Sequence, residues 1–507
     1  MFENMYAGLL LIFQWQTFAA LAAGIVIGII FGALPGLTTT MAMSIFVPVT
    51  FFMEPLVGIP FLLGLYKGGI YGGSVTAILV ATPGTNAAAA TVLDGYEMAK
   101  KGLAGKALKM ALYASVIGET WGELILLFFV GILANAALLF GAVETFAILL
   151  FSYTIIAGLS GDSLIKGIMA ALFGLFVSTI GIDPVLGVTR FTFGSMQLTS
   201  GFTFVSMLIG TFAVSEVMIQ IEQRANGTSK IKALKVTKEN NHITAKEWKE
   251  CLPSIAVGSL IGTWIGLLPG IGQPVAAFLG YGFAKKSSKN PEKFGTGCLE
   301  GVAAPEAANN AVNGSAMVPL LSLGIPGDTI SAILLGALMA QGLSPGPMLF
   351  QENGPMIYAI LLAMLLGNIL FLVIGYFSIP VVSKVAYVPS NIMLPGIITM
   401  AFVGGFAING NPFDIAVMAT FGVIGYLFKK GNVPLPPFVI AVLLGAKTEA
   451  ALSRSLLLSK GSLMIFFEKK IAAFFILLTF VVVIAIAIKC IQEKVKKAKE
   501  AQSAVTL

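Results

Sequence analysis

Long apolar stretches separated by short polar segments run through most of the chain. They predict spans at residues 9–30, 107–119, 122–140, 143–159, 163–181, 201–221, 355–380, 394–408, 413–428, 433–446 and 471–490. A membrane helix needs about 20 mostly apolar residues, which leaves room for about ten to twelve of them, together with re-entrant hairpins. The alternating strands of a transmembrane β-barrel have a different pattern. The sequence therefore predicts an all-α polytopic integral membrane protein.

The composition supports this class and argues against several kinds of catalytic and metal site. Of the 507 residues, 57% are apolar and 11% are charged, whereas soluble proteins carry about 25% charged residues. The single histidine, His242, argues against a histidine-based zinc site, a Ser-His-Asp triad or a histidine proton relay. The three cysteines form no close-spaced pair, so no disulfide framework is indicated. We expect no cofactor beyond a coupling ion.

Positive charge concentrates in residues 222–250 and in the C-terminal tail. Short basic loops remain in the cytoplasm, so both segments are predicted to be cytoplasmic. The net charge of +7 then reports membrane orientation, and no nucleic-acid partner is expected. We predict a first membrane repeat at residues 1–221 (the first half), a linker at 222–250, a second membrane repeat at 251–466 (the second half), and a last transmembrane helix with the basic tail at 467–507.

The two halves share landmarks in the same order. Each contains two Pro-Gly pairs, numbered here as breaks 1 to 4: Pro35–Gly36, Pro83–Gly84, Pro269–Gly270 and Pro326–Gly327. Lysines follow breaks 2 and 3, whereas residues 342–354 after break 4 contain no Lys or Arg. Because equivalent loops carry opposite charge, the repeats are predicted to be inverted, a common plan in secondary transporters. Parallel repeats are the alternative.

The segment around break 3 looks too short for two full crossings. Between Leu252 and Lys285 each arm has about 16 residues, or about 24 Å of helix, against about 30 Å of hydrocarbon. We therefore predict a re-entrant hairpin at break 3, with break 1 as its partner from the other side of the membrane.

The breaks also suggest chemistry. Proline and glycine interrupt helical hydrogen bonding, which a bilayer tolerates only where protein or water satisfies the backbone, so the breaks should meet around one cavity. A helix that restarts after a break presents its positive end, which favours a carboxylate. The predicted substrate-binding residues at the breaks are Thr38, Thr39, Thr40, Thr82, Gly84, Thr85, Asn86, Gly272, Gln273, Gly327, Asp328 and Thr329. Candidate Na⁺ ligands are backbone carbonyls near Pro35, Gly36, Pro269 and Gly270. The alternative for any single break is a kink or a loop.

A second polar cluster lies within residues 301–319. Glu306, Asn309, Asn310 and Asn313 share one face at helical spacing. Asn310, Asn313 and Ser315 are predicted to bind substrate and Asn309 to bind Na⁺, whereas the alternative is that these side chains hold helices together. Other charged groups predicted within the membrane typically mark a pathway or an ion pair, with a position at the membrane interface as the alternative. They are Lys67, Asp94, Glu119, Glu123, Asp162, Lys166, Asp183, Arg190, Glu216, Asp328 and Asp414. Lys67 is expected either to attract an anion or to snorkel to a surface.

Four long stretches carry a family resemblance: GALPGLTTTMA, YGGSVTAILVATPGTNAAAATVLDGYEMAKKG, GLLPGIGQPVA and EGVAAPEAANNAVNGSAMVPLLSLGIPGDTISAILLGALMAQGLSPGP. They resemble the large membrane subunit of the tripartite tricarboxylate transporters, the TctA family, over essentially the whole chain. The resemblance implies a carrier of the bacterial inner membrane with two partners, a small membrane subunit (TctB-like) and a periplasmic substrate-binding protein (TctC-like). It implies uptake of di- and tricarboxylates such as citrate, driven by a Na⁺ or H⁺ gradient rather than ATP.

We expect an elevator-like movement of the module that carries the breaks, by analogy with other inverted-repeat transporters, with rocking as the alternative. A stand-alone organic-anion carrier is a second interpretation of the function. A membrane-embedded enzyme would need acid/base or metal-binding residues clustered in one loop, and a channel would not accumulate substrate. We expect a transporter and not an enzyme.

Overall fold

The computed structural model describes residues 2–34, 36–159, 163–225, 242–385, 390–407, 409–484 and 488. Helices account for nearly all of its regular structure. In chain order they are α1 (Phe2–Leu11), α2 (Trp15–Gly32), α3 (Thr39–Thr50), α4 (Pro55–Val80), α5 (Ala89–Lys100), α6 (Ala104–Ala137), α7 (Ala142–Leu159), α8 (Leu164–Ser178), α9 (Met196–Thr199), α10 (Phe204–Leu208), α11 (Ser215–Ala225), α12 (Ala245–Gly266), α13 (Gly272–Ser287), α14 (Leu299–Ser315), α15 (Met317–Leu323), α16 (Thr329–Ala340), α17 (Leu349–Glu352), α18 (Gly354–Val385), α19 (Ser390–Ala407), α20 (Pro412–Lys430), α21 (Leu435–Leu458), α22 (Ile465–Glu468) and α23 (Lys470–Ile484).

Four short elements complete the secondary structure of the described residues. The π-helical stretch Ile209–Val214 joins α10 to α11, and one 3₁₀ turn covers Pro291–Lys293. The strands β1 (Gly181–Ile182) and β2 (Thr189–Arg190) pair antiparallel, with Gly181 opposite Arg190. The predicted all-α class is confirmed, because six of the described helices are long and apolar enough to cross a membrane and several shorter apolar helices accompany them. The chain is therefore a multi-pass membrane protein.

Several predicted spans have wrong boundaries. The span 9–30 crosses the gap between α1 and α2, and the span 433–446 ends well before Leu458, the end of α21. The spans 107–119 and 122–140 are one helix, α6, which ends at Ala137. The prediction divided it where Glu119 and Glu123 interrupt the apolar run. Lys67 of α4 pairs with both carboxylates, so both have a buried cationic partner and the helix continues through them.

The arm before break 3 is longer than predicted. Thr244 caps α12 with Glu247 in a capping box, so the helix begins seven residues before Leu252 and has 22 residues. A helix of that length covers about 33 Å, enough for a crossing. The length argument for a re-entrant hairpin therefore does not hold for α12, and re-entrance at breaks 1 and 3 stays a prediction.

The chain divides into two compact units, each of which combines segments from both halves. Unit 1 comprises Met1–Leu138 and Thr203–Tyr426, and unit 2 comprises Leu139–Phe202 and Leu427–Leu507. Within unit 1, α6 of the first half packs along α14 of the second. Compactness and internal symmetry are different properties, so the predicted repeat boundaries, and the inversion of the repeats, stay predictions.

Small residues allow the helices of unit 1 to approach closely. On α2 and α4, glycines at four-residue spacing lie against backbone carbonyls of the other helix: Gly24, Gly28 and Gly32 on α2, and Gly64, Gly68 and Gly72 on α4. A methyl group at any of these positions would overlap the opposing backbone. In the second half, Gly258 and Gly262 of α12 lie in the same way against carbonyls of α14. Small residues at four-residue spacing are a common basis of close helix pairs in membranes.

Candidate functional site

Helix α4 is the element on which the four breaks converge. Nearly all of its residues are buried. Tyr66, Gly69 and Gly73 lie on one of its faces, because positions i, i+3 and i+7 of a helix point the same way. These positions span about 10 Å along the axis. Side chains next to all four breaks contact this short stretch.

The first-half breaks reach α4 through two threonines. Thr39, after break 1, lies directly over Gly69 and is 1% exposed, and its Oγ1 has no hydrogen-bond partner. A Cβ on Gly73 would come within 2.8 Å of the Thr85 methyl group, so Thr85 of break 2 packs on that glycine. The Gly84 N–H donates to the Gly73 carbonyl over 3.1 Å. Glycine is therefore required on α4 at both contacts.

The second-half breaks bind each other and then Tyr66 of α4. The Gly270 N–H donates to the Gly327 carbonyl over 2.9 Å, which ties break 3 to break 4. Gln273 Nε2 lies 2.6 Å from the Tyr66 hydroxyl, which in turn donates to Asp328 Oδ2 over 3.1 Å. One tyrosine of the first half thus joins both breaks of the second half.

The four helices that restart after the breaks differ at their N-termini. Thr38 accepts a hydrogen bond from the Met41 N–H and caps α3, and Asp328 forms a capping box with Ser331 at α16. Helices α5 and α13 have no side-chain cap at the N-cap position. A side-chain cap already accepts a hydrogen bond from the first helical turn, so fewer free backbone N–H groups remain for a ligand. The anion preference predicted for all four therefore applies best to α5 and α13.

These two uncapped helices, one from each half, pack together near their starts. Ala87 and Ala90 at the start of α5 form a buried cluster with Ala277 of α13. Thr85 is half-buried and Asn86 is exposed just before α5. Gln273 lies in the first turn of α13. Small alanines between the two helices allow their positive ends to approach each other.

Several predicted site residues lie apart from this meeting point. Thr82 is exposed and bonds only to the Val80 carbonyl, and Ser315 donates to the Ala311 carbonyl within its own helix. The Gly36 carbonyl, a candidate Na⁺ ligand, accepts a hydrogen bond from Gln220. Three half-buried residues make no side-chain hydrogen bond to the other breaks: Thr40, Pro269 and Thr329. Gly272 is buried and has a left-handed backbone conformation, with a φ of +74°. Pro35 lies outside the described residues.

A buried ion cluster occupies the middle of unit 1. Lys67 of α4 lies 3.2 Å from Glu119 Oε1, also pairs with Glu123, and donates to Asn368 Oδ1 over 2.7 Å. Asn368 Nδ2 returns a 2.6 Å hydrogen bond to Glu123. We call Lys67, Glu119, Glu123 and Asn368 the Lys67 cluster. The lysine does not snorkel to a surface, since its side chain is fully buried between the two carboxylates.

A second buried cluster surrounds Glu306 of α14. Thr91 of α5 donates to Glu306 Oε1, and Ser115 of α6 lies 3.1 Å from Glu306 Oε2. Asn310 Nδ2 lies 2.9 Å from Ser115 Oγ and also bonds to the side chain of Asn309. We call Glu306, Thr91, Ser115, Asn309 and Asn310 the Glu306 cluster. All five residues are fully buried.

Asn313 connects the breaks to the Lys67 cluster. Its Oδ1 accepts a 2.6 Å hydrogen bond from Gln273, and its Nδ2 lies 3.3 Å from Glu119 Oε1. A chain of hydrogen bonds therefore runs from Asp328 through Tyr66, Gln273 and Asn313 to Glu119. The shared face of α14 predicted from the sequence is real, but Tyr66, Thr91, Ser115 and Asn368 went unpredicted. The sequence signals for the Lys67 cluster were the charges of Lys67, Glu119 and Glu123 within apolar stretches and the four-residue spacing of the two glutamates.

The remaining predicted membrane charges have local structural partners. Asp94 accepts N–H bonds from Gly295, Gly297 and Cys298 and so anchors the loop before α14. In unit 2, Arg190 pairs with Asp183 and Glu449, and backbone N–H bonds from residues 186 and 185 lower the pKa of the Asp183 carboxyl. Lys166 donates to a backbone carbonyl, and Asp414 accepts from Asn409. Glu216 lies 3.3 Å from Gln220, and Asp162 lies outside the described residues.

A multi-pass helical membrane protein with an internal polar network is the class that these observations define. Residues 18–440 match the model of the Tripartite tricarboxylate transporter TctA family. The chain belongs to that family, which confirms the resemblance seen in the sequence motifs. It is therefore a membrane component of a transporter rather than a member of an enzyme family.

Relatives in Agrobacterium vitis extend over most or part of the chain. An "uncharacterized 52.8 kDa protein in TAR-I ttuC' 3'region" is 35% identical over 450 residues, which make up 89% of each chain. An "uncharacterized protein in TAR-II ttuC' 3'region" is 35% identical over 233 residues, or 46% of this chain and 96% of the relative. No solved structure matches the chain.

Proposed function

We propose that the chain is the large transmembrane subunit of a binding-protein-dependent secondary transporter that imports di- and tricarboxylates of the citrate kind. The observation that carries the proposal is the family match over residues 18–440. Family membership also favours two partners, a TctB-like small membrane subunit and a TctC-like periplasmic binding protein. Uptake into the cell uses a Na⁺ or H⁺ gradient across the bacterial inner membrane, with residues 222–250 and the C-terminus in the cytoplasm.

The proposed substrate site lies between the N-termini of α5 and α13. Both ends lack a side-chain cap, they come from opposite halves, and alanines let them pack closely. Their backbone N–H groups and positive ends suit carboxylates. Thr85 and Asn86 provide a hydroxyl and an amide beside α5, and Gln273 provides an amide on α13. A substrate with several carboxylates would meet two such ends at once.

All four breaks belong to unit 1, and this supports an elevator-like mechanism. Unit 1 would carry the substrate between its two N-termini, because the breaks are tied to the same stretch of α4. The inverted relation of the halves would give the module two equivalent end states. Rocking of one half against the other is disfavoured here, since α6 and α14 join the halves within the same unit.

Uptake in proteoliposomes tests the proposal. The chain is reconstituted with its small membrane subunit and binding protein, and accumulation of labelled citrate is followed under an imposed Na⁺ or pH gradient. We expect accumulation against a gradient. Thr85→Val or Asn86→Ala should raise the half-saturation concentration about tenfold or more, because a hydrogen bond to a charged group contributes about 1.5–3 kcal/mol.

Thr420→Val is the matched control, because Thr420 is exposed on α20 and bonds only within its own helix. It should leave uptake unchanged. Loss of uptake in Thr420→Val would assign the effect to general damage. Citrate uptake without any response to either gradient would reject a secondary transporter, and unchanged uptake in both break 2 variants would remove the proposed site.

A further inference from the structure

The Glu306 cluster differs from the Lys67 cluster because it contains no cationic side chain among the residues that the structure describes. In the Lys67 cluster an ammonium group lies between two carboxylates. In the Glu306 cluster the partners of the carboxylate are hydroxyl and amide groups, and no ion pair reaches Glu306 from any residue that the structure describes. An ionised carboxylate in a dry interior is costly unless a positive charge compensates it. The cluster therefore has a deficit of one positive charge.

The atoms around Glu306 are hard oxygen ligands. One connected set of hydrogen bonds joins the two carboxylate oxygens, the hydroxyls of Thr91 and Ser115, the amide oxygen of Asn309 and the amide nitrogen of Asn310. The amide oxygen of Asn310 is a further potential ligand on the same side chain. Carboxylates, hydroxyls and amide carbonyls suit alkali and alkaline-earth cations, while softer metals prefer imidazole or thiolate. A single formal negative charge matches a monovalent ion better than a divalent one.

An unused acceptor independently indicates a ligand at this position. Asn310 Oδ1 is fully buried and has no hydrogen-bond partner. The other atom of that amide group, Nδ2, already contacts Ser115 and the side chain of Asn309. Buried polar atoms in proteins nearly always have a partner. An orphan oxygen one helical turn after Glu306, on a side chain that bonds to Ser115 of the same cluster, therefore indicates a bound cation.

We infer that the Glu306 cluster binds one Na⁺ ion through Glu306, Thr91, Ser115 and Asn310. The inference rests on the proposed function and names its coupling ion and the residues that hold it. Thr91 lies in α5, a few residues after break 2, and Glu306 and Asn310 lie in α14. A bound cation would hold α5 against α14 and so position the α5 N-terminus for the substrate. Because coupling of two sites is reciprocal, substrate would also strengthen Na⁺ binding.

Direct binding of radioactive sodium to the purified full-length chain in detergent tests the inference without transport. The wild-type chain should bind one sodium per chain, saturably, and an excess of K⁺ should compete only weakly. Glu306→Gln keeps the shape of the side chain and removes its charge, and it should weaken Na⁺ binding at least tenfold. Ser115→Ala, a milder change, should weaken it several-fold. Size-exclusion profiles verify that each variant is folded.

Glu300→Gln is the matched control, because Glu300 lies on the same helix and bonds to Ser254 and Ser288 outside the cluster. It should bind Na⁺ like the wild type. The inference is overturned if the wild type binds no sodium, or if Glu306→Gln and Ser115→Ala both bind it with unchanged affinity. Uptake driven only by a pH gradient, without sodium binding, would also overturn it in favour of a proton.

Failure of the proposed function looks different. Sodium binding that depends on Glu306, in a chain that never accumulates citrate with its partners, would leave the cation site standing and reject the citrate transporter. Citrate accumulation without Glu306-dependent sodium binding would support the citrate transporter and reject the cation site.

Discussion

Breaks 2 and 4 occupy the same place in the two halves, yet the structure holds them differently. Around break 4, residues 324–327 are buried, and Asp328 caps α16 while it accepts a hydrogen bond from Tyr66. Around break 2, residues 81–83 and Asn86 are exposed, and α5 has no side-chain cap. Thr85 Oγ1 accepts a 3.2 Å hydrogen bond from the Ala88 N–H just before the helix begins. Break 4 is closed by its own side chains, whereas break 2 leaves the residues just before its helix exposed.

Breaks 2 and 4 have similar sequences, but their contacts indicate different roles, one in stability and one in ligand binding. A helix end whose N–H groups are already satisfied contributes stability, whereas an accessible end can receive a ligand. The contacts of break 4 fit a structural role, because Asp328 caps α16 and bonds to Tyr66. The exposed residues of break 2 fit the ligand-binding role proposed above.

Both breaks depend on α4, so the largest expected effect comes from disturbing α4 itself. Lys67→Met removes the ammonium between Glu119 and Glu123 and leaves two buried carboxylates facing each other. Breaking a buried ion pair from one side costs about 3–5 kcal/mol of the free energy of unfolding. Denaturant-induced unfolding in detergent measures the loss. Lys285→Met, at an exposed lysine, should stay within about 0.5 kcal/mol of the wild type. Equal stability of the two variants would show that α4 is not held by this cluster.

Removal of the caps sharpens the comparison directly. Asp328→Ala loses the capping box and the partner of Tyr66, and should lower the free energy of unfolding by about 2 kcal/mol. Thr85→Ala loses one weaker contact and should cost less than about 1 kcal/mol. The same unfolding measurement compares them. If Thr85→Ala proves the more damaging, the assignment of break 4 to stability and break 2 to binding is reversed.

Two further substitutions, at the helix ends before breaks 2 and 4, should have effects of opposite sign. Helix α4 ends at Ala81 with a φ of +55°, and α15 ends at Gly324 with a φ of +69°. A left-handed conformation costs an L-residue about 1–2 kcal/mol relative to glycine. Ala81→Gly should therefore raise the thermal midpoint slightly, and Gly324→Ala should lower it. A shift in the same direction for both would mean that the two helix ends are not comparable.

Much of the fold could be predicted from local rules. Apolar runs predict helices, Pro-Gly pairs predict where they stop, and the spacing of Glu306, Asn309, Asn310 and Asn313 predicts a shared face. These inferences succeed because hydrogen bonding along a helix and burial of apolar side chains act over a few residues. The same rules failed at α6, where Glu119 and Glu123 are compatible with a continuous helix only because Lys67 lies more than 50 residues earlier in the chain.

The sequence by itself determined the membrane class, the family and the positions of the four breaks, because each depends on residues close together in the chain. Only the tertiary structure decided that the breaks converge on Tyr66, Gly69 and Gly73, and that one carboxylate cluster contains a lysine while the other does not. Those outcomes depend on which helices pack together. Packing depends on complementary shape and charge between residues that are far apart in the chain. Lys67 and Asn368, which form a hydrogen bond, are 301 positions apart, so no local sequence pattern predicts their contact.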